Sequence, residues 1–148
     1  MNIRDYYRAL DPDDVIRNDG LEYVKEGSYA FMITDIGGRM FAGSEKTPRC
    51  PEIVLTALVD TDVGIVESKI YLQLYRSLEW KLADFFRCIG LKKPGEPMKM
   101  DWEKTIGCTG RAYFCPESYF DKYNQKRIAL NLVKFFDPPG LAAEEDTS

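Results

Sequence analysis

Two tyrosines four residues apart, Tyr71 and Tyr75, stand next to Lys69 and Arg76 and form the pattern in this chain best suited to ligand chemistry. Aromatic faces stack on planar bases and neighbouring cations meet phosphates, so rings interleaved with Lys and Arg are the means of holding a single nucleic-acid strand. Further candidates for the same work are Arg39, Lys46, Arg49, Arg111, Tyr119, Tyr123, Lys126 and Arg127. Each also has a plain structural reading, because tyrosine packs well on strands and Lys or Arg solubilises any surface.

Catalytic chemistry is poorly served. The chain has no histidine, which rules out a His-based triad or a His metal site, and it lacks a GxxxxGK[ST] phosphate loop. Cys50, Cys88, Cys108 and Cys115 are separated by 38, 20 and 7 residues, with no CxxC pair. Zinc sites draw on closer spacing, so reduced thiols and no metal are expected. Asp60 and Asp62 flank one residue in a turn, where such pairs do turn chemistry. No enzyme activity and no cofactor are expected.

The net charge of −4 conceals a division along the chain. Residues 1–26 carry four Lys or Arg against seven Asp or Glu, and residues 137–148 carry four acids and no base. The centre, 27–136, holds 16 basic and 13 acidic side chains, so an acidic whole leaves room for a basic face. No apolar run reaches ~18 residues and no signal-peptide pattern opens the chain, so a soluble, cytoplasmic protein without a membrane partner is expected.

The elements that must carry these residues follow from periodicity. Ile70, Leu72 and Leu74 alternate with Lys69, Tyr71, Gln73 and Tyr75, the pattern of a strand with one wet face. Leu78, Leu82, Phe85, Phe86 and Ile89 then form one stripe of a helix over 78–89, with Ser77 as N-cap and Gly90 as left-handed terminator. Glu79, Lys81, Asp84 and Arg87 fall outside that stripe. Upstream, residues 23–36 read as a strand that Gly37-Gly38 stops, 37–51 as a long basic loop, and 52–59 as a second strand joined to the third by a short turn at 60–62. Downstream, 92–97 is loop, Met98, Met100 and Trp102 pack back on the core, and 104–115 is a fourth strand whose Gly107 and Gly110 mark a bend or a close approach. Residues 116–125 read as an aromatic loop and 126–136 as a fifth strand. A mainly β chain is thus expected, a five-stranded antiparallel OB-like barrel with one helix between strands 3 and 4. It comprises an N-terminal arm at 1–22 with anchors at Tyr6, Tyr7 and Leu10, the domain at 23–136, and an acidic disordered tail at 137–148.

Four stretches carry a resemblance: GSYAFMITDIGGR at 27–39, SLEWKLADFFRCIGL at 77–91, IGCTGRAYF at 106–114 and YNQKRIALNLVKFF at 123–136. Together they resemble phage-encoded OB-fold single-stranded-DNA-binding proteins from recombination and replication loci. Gly107, Gly110-Arg111, Tyr123-Asn124 and Lys126-Arg127 are the residues that match that family's strand and hairpin pattern. The resemblance implies sequence-independent binding of single-stranded DNA, with a recombination or replication protein as a further partner. The arm does not align with that family, and Glu144-Glu145-Asp146-Thr147-Ser148 lacks the terminal Pro-Phe of bacterial single-strand-binding tails. A rival reading is a protein-binding module, an accessory factor that engages a host or recombination protein without touching DNA. OB barrels host both tasks, and choice of DNA over RNA and homo-oligomerisation are open from sequence.

Overall fold

The computed structural model describes residues 15–16 and 21–138. The expected anchors Tyr6, Tyr7 and Leu10, and the tail beyond Pro138, lie outside the described residues. The chain is mainly β, with strands β1 (Val15–Ile16), β2 (Gly27–Phe41), β3 (Cys50–Thr61), β4 (Gly64–Gln73), β5 (Thr109–Phe120) and β6 (Lys126–Phe136). One helix, α1 (Glu79–Cys88), lies between β4 and β5. The five long strands form an antiparallel sheet in the order β4-β3-β2-β5-β6, and β1 adds two parallel residues to the outer edge of β4.

β2 runs through Gly37-Gly38, contrary to the stop expected there. It pairs with β3 from Ala30 to Phe41 and with β5 from Gly27 to Met32, and on the β3 side Gly37 faces Val54, Gly38 faces Ile53 and Arg39 faces Glu52. The ladder satisfies backbone groups that two glycines in a loop would have to leave to water, and this outweighs their weak strand preference. A register shift between Ile33 and Asp35 marks a bulge within the β3 ladder, just beyond Met32, where the β5 pairing ends. The long basic loop therefore shrinks to 42–49, with Arg39 placed on a strand. The aromatic loop shrinks likewise, because Pro116 to Phe120 pair with Leu130 to Lys126 and leave only 121–125 as the turn. The fourth strand starts later than expected. Residues 102–105 form a 3-10 turn, and Gly107 takes φ +86° to bring the chain onto β2.

Helix α1 buries Leu82, Phe85, Phe86 and Cys88, as its stripe requires. Phe85 packs 5.2 Å from Phe86 and 5.4 Å from Phe135 of β6, ring centre to ring centre, and Trp102 lies 5.0 Å from Phe86. Met98 also packs on this core, while Met100 is exposed. Ser77 does not cap the helix. It sits inside a 3-10 turn at 76–78, and Leu78 occupies the N-cap position without a side-chain bond. Gly90 does terminate it, with φ +82°, and Leu91 N–H donates to Phe86 O at 2.9 Å. The segment read as an arm enters the core at Leu21, which is buried with Val24. Asp62 in the β3–β4 turn accepts from Lys25 N–H and the Tyr29 hydroxyl, a structural use of that carboxylate.

Gly110 explains how closely these layers meet. A Cβ there would lie 2.7 Å from Cys88 Sγ and 2.9 Å from Phe31 Cζ. Gly110→Val is therefore expected to destabilise the fold by about 1–3 kcal/mol through overpacking, read as a lower denaturation midpoint at unchanged m-value. An unaltered midpoint would show that the helix end moves aside freely. Cys88 itself is buried, and burial pushes its thiol up to about 11, so it stays protonated and packs as a small apolar group.

Candidate nucleic-acid interface

Alternation along β3 and β4 puts Ile53, Leu55, Ile70 and Leu72 inside and leaves a second set outward. The outward rows across β2, β3 and β4 are Arg39–Glu52–Gln73, Gly37–Val54–Tyr71 and Asp35–Thr56–Lys69. Glu52 is the anchor of the first row. It is 2% exposed, and its carboxylate accepts from Arg39 Nε at 2.5 Å and from Gln73 Nε2. Held this way, the Arg39 guanidinium lies 5.1 Å from the ring centre of Tyr71, a cation over an aromatic face. Tyr71 is 41% exposed, and beside it Lys69 Nζ donates to Thr56 Oγ1 at 2.6 Å.

The far wall comes from the other end of the sequence. The edges β4 and β6 share no ladder, but Ser68 Oγ donates to Leu130 O at 2.6 Å, which draws β6 against β4. Along this seam lie adjoining hollows of about 300, 490 and 310 Å³ that share Tyr71 and Asn131. They form a groove with Lys69 and Tyr71 on one side and Glu117, Tyr119, Ala129 and Asn131 on the other. Asn131 Nδ2 donates to Glu117 at 3.0 Å, which fixes that wall. Lys81 of α1 closes the groove beside Leu132 and Val133. Burial pushes its ammonium below the ordinary lysine value, and the negative charge of Glu52 offsets part of this.

The structure thus brings Lys69, Tyr71 and Tyr119 to one groove, with Arg39 adjoining. The other expected site residues stand elsewhere. Tyr75 and Arg76 lie past the end of β4, where the alternation has ceased, and Tyr75 is half-buried. Lys46 and Arg49 are exposed in the 42–49 loop. Tyr123 is 71% exposed in the 121–125 turn, with Lys122 Nζ over its ring at 5.1 Å, and Lys126 is exposed at the base of β6. Arg127 is engaged by Asp121 at 3.1 Å, and Asp121 is held below the usual carboxylate range by backbone bonds from this turn and by Arg127. Arg111 lies eight residues from Tyr119 along β5, about 26 Å of extended strand, and donates to Ser28.

Lys81, Glu117 and Asn131 are groove residues that the sequence reading passed over. Lys81 carried a legible signal: it lies three residues after Leu78 and four before Phe85, on the flank of the buried stripe. Glu117 and Asn131 carried none, since their approach to Tyr71 depends on β6 meeting β4. Trp80 and Phe120, 63% and 68% exposed, are further surface rings. No helix among the described residues is long and apolar enough to cross a membrane. No protein-family model matches the chain, and no curated protein matches it.

Proposed function

We propose that this chain binds single-stranded DNA with little sequence preference, as an OB-like barrel of the kind that serves phage-type replication or recombination. The observation that carries the reading is the groove in which Tyr71, under the Arg39 guanidinium, faces Tyr119 across the β4–β6 seam. Rings on both walls with cations beside Tyr71 suit bases on the walls and phosphates along the β4 side. The OB-like reading is supported by the strand order, by β2 shared between two neighbours, by the single helix between β4 and β5, and by the Ser68–Leu130 contact between the two edges. The 42–49 and 121–125 loops would then frame the β3–β4 face.

The test is affinity for an unstructured thymidine oligomer across a salt series. Neutralising four phosphates gives an expected slope of log K against log salt of about −3 for a single strand. Equal affinity at low and high salt, or no complex at micromolar protein, overturns the reading and favours the protein-binding alternative. Glu117 adds a negative charge on the groove wall, so Glu117→Gln is expected to tighten the complex by about two- to fivefold, most visibly at low salt. Weaker binding by that variant would mean that the Asn131–Glu117 bond shapes the wall more than its charge repels.

A further inference from the structure

The cations that meet Tyr71 differ in how they are satisfied. Arg39 is bound to Glu52, and Lys69 donates to Thr56 and lies 4.0 Å from Glu67. Lys81 has no hydrogen bond or ion pair among the described residues, although it lines the groove and is half-buried. The charge of Glu52 reaches it, but that carboxylate is already bound by Arg39 and Gln73, so a partly desolvated ammonium is left with donors to spare, a cost relieved when an anion arrives. The position selects the anion. Lys81 shares its hollow with Lys69 and Tyr71, so a strand with a base on Tyr71 would set its linking phosphate between two ammonium groups. Glu117 stands in the same hollow, bound to Asn131, and repels the phosphate toward α1.

We propose that Lys81 is the groove's principal phosphate ligand, holding the phosphodiester next to the base stacked on Tyr71. This rests on the single-strand reading above and adds a helix residue to a site otherwise built from strands. The ligand class is a phosphodiester within a strand, held by charge and independent of base identity.

The experiment uses the full chain with a twelve-residue thymidine oligomer. Lys81→Gln is expected to weaken binding about tenfold and to make the salt slope shallower by about 0.7, the loss of one phosphate contact on a single strand. Lys81→Arg should keep the wild-type slope. On the unmodified protein, the oligomer should protect Lys81 from amine acetylation, read by mass spectrometry, while Lys92 and Lys93, which do not line the groove, stay reactive. That readout does not depend on how any variant folds. If the wild type binds but Lys81→Gln keeps its affinity and slope, or if Lys81 acetylates equally with and without oligomer, this assignment fails and the single-strand reading survives. If the wild type binds no oligomer, both fail.

Discussion

Replacing Tyr71 and Tyr119 together by alanine is expected to remove most single-strand affinity, because each stacked base contributes ~1–3 kcal/mol and both walls of the groove would be lost. At the middle of that range the double variant binds several hundredfold more weakly. The rings are 41% and 50% exposed, so their loss opens no large internal cavity and the fold should keep its melting temperature within a few degrees. Tyr75→Ala is the comparison, since that ring lies beyond β4 and outside the groove lining. It should leave affinity nearly unchanged. Titration of a labelled oligomer and a thermal melt on the same preparations decide the matter. A double variant that melts much earlier yet binds normally would assign both tyrosines to packing, and one that changes neither property would remove them from any site.

Phe85→Ala should have the largest effect on stability, about 3–5 kcal/mol. Its ring is fully buried and touches Phe86, Phe135 and, stacked at 6.1 Å, Trp102, so its removal leaves a hole bounded by α1, β6 and the 102–105 turn. Those walls belong to three separate segments and cannot all collapse inward, which places the cost toward the upper end. For a chain of this size the melting temperature should fall by roughly 6–20 °C. Equilibrium denaturation in urea measures the loss directly, and a change below about 1 kcal/mol would mean that α1 is not packed as described. Oligomer affinity of the folded fraction should persist, because Phe85 is absent from the groove lining.

What was legible in the sequence came from patterns that a segment carries by itself. The alternation at Ile70 and Leu72, the helical stripe from Leu82 to Ile89, the turn before Gly64 and the stop at Gly90 all depend on side chains a few residues apart. β6 matches its expected bounds of 126–136 for the same reason: Ile128, Leu130 and Leu132 alternate without interruption and the segment is bounded by turn residues. Gly110 was legible as a close approach because a glycine inside a strand pattern leaves room for something else, here Cys88 and Phe31.

The sequence by itself therefore determined the order of elements, a mainly β chain with one helix between its third and fourth long strands, and the presence of exposed rings among cations. Tertiary structure alone decided how far β2 and β5 run and which of those residues meet. Gly37-Gly38 and Pro116–Phe120 become strand because partners at Ile53–Val54 and Lys126–Leu130 supply hydrogen bonds, and no local pattern shows whether a distant segment will be in register. Tyr71 and Tyr119 are neighbours only because β6 approaches β4 at Ser68 and Leu130, more than sixty residues apart in sequence. The same folding binds Arg127 to Asp121, turns Arg111 toward Ser28 and leaves Lys81 in the groove without a hydrogen bond or ion pair among the described residues. Residue type sets what a side chain is able to bind, whereas packing between remote segments sets which side chains still have that capacity free.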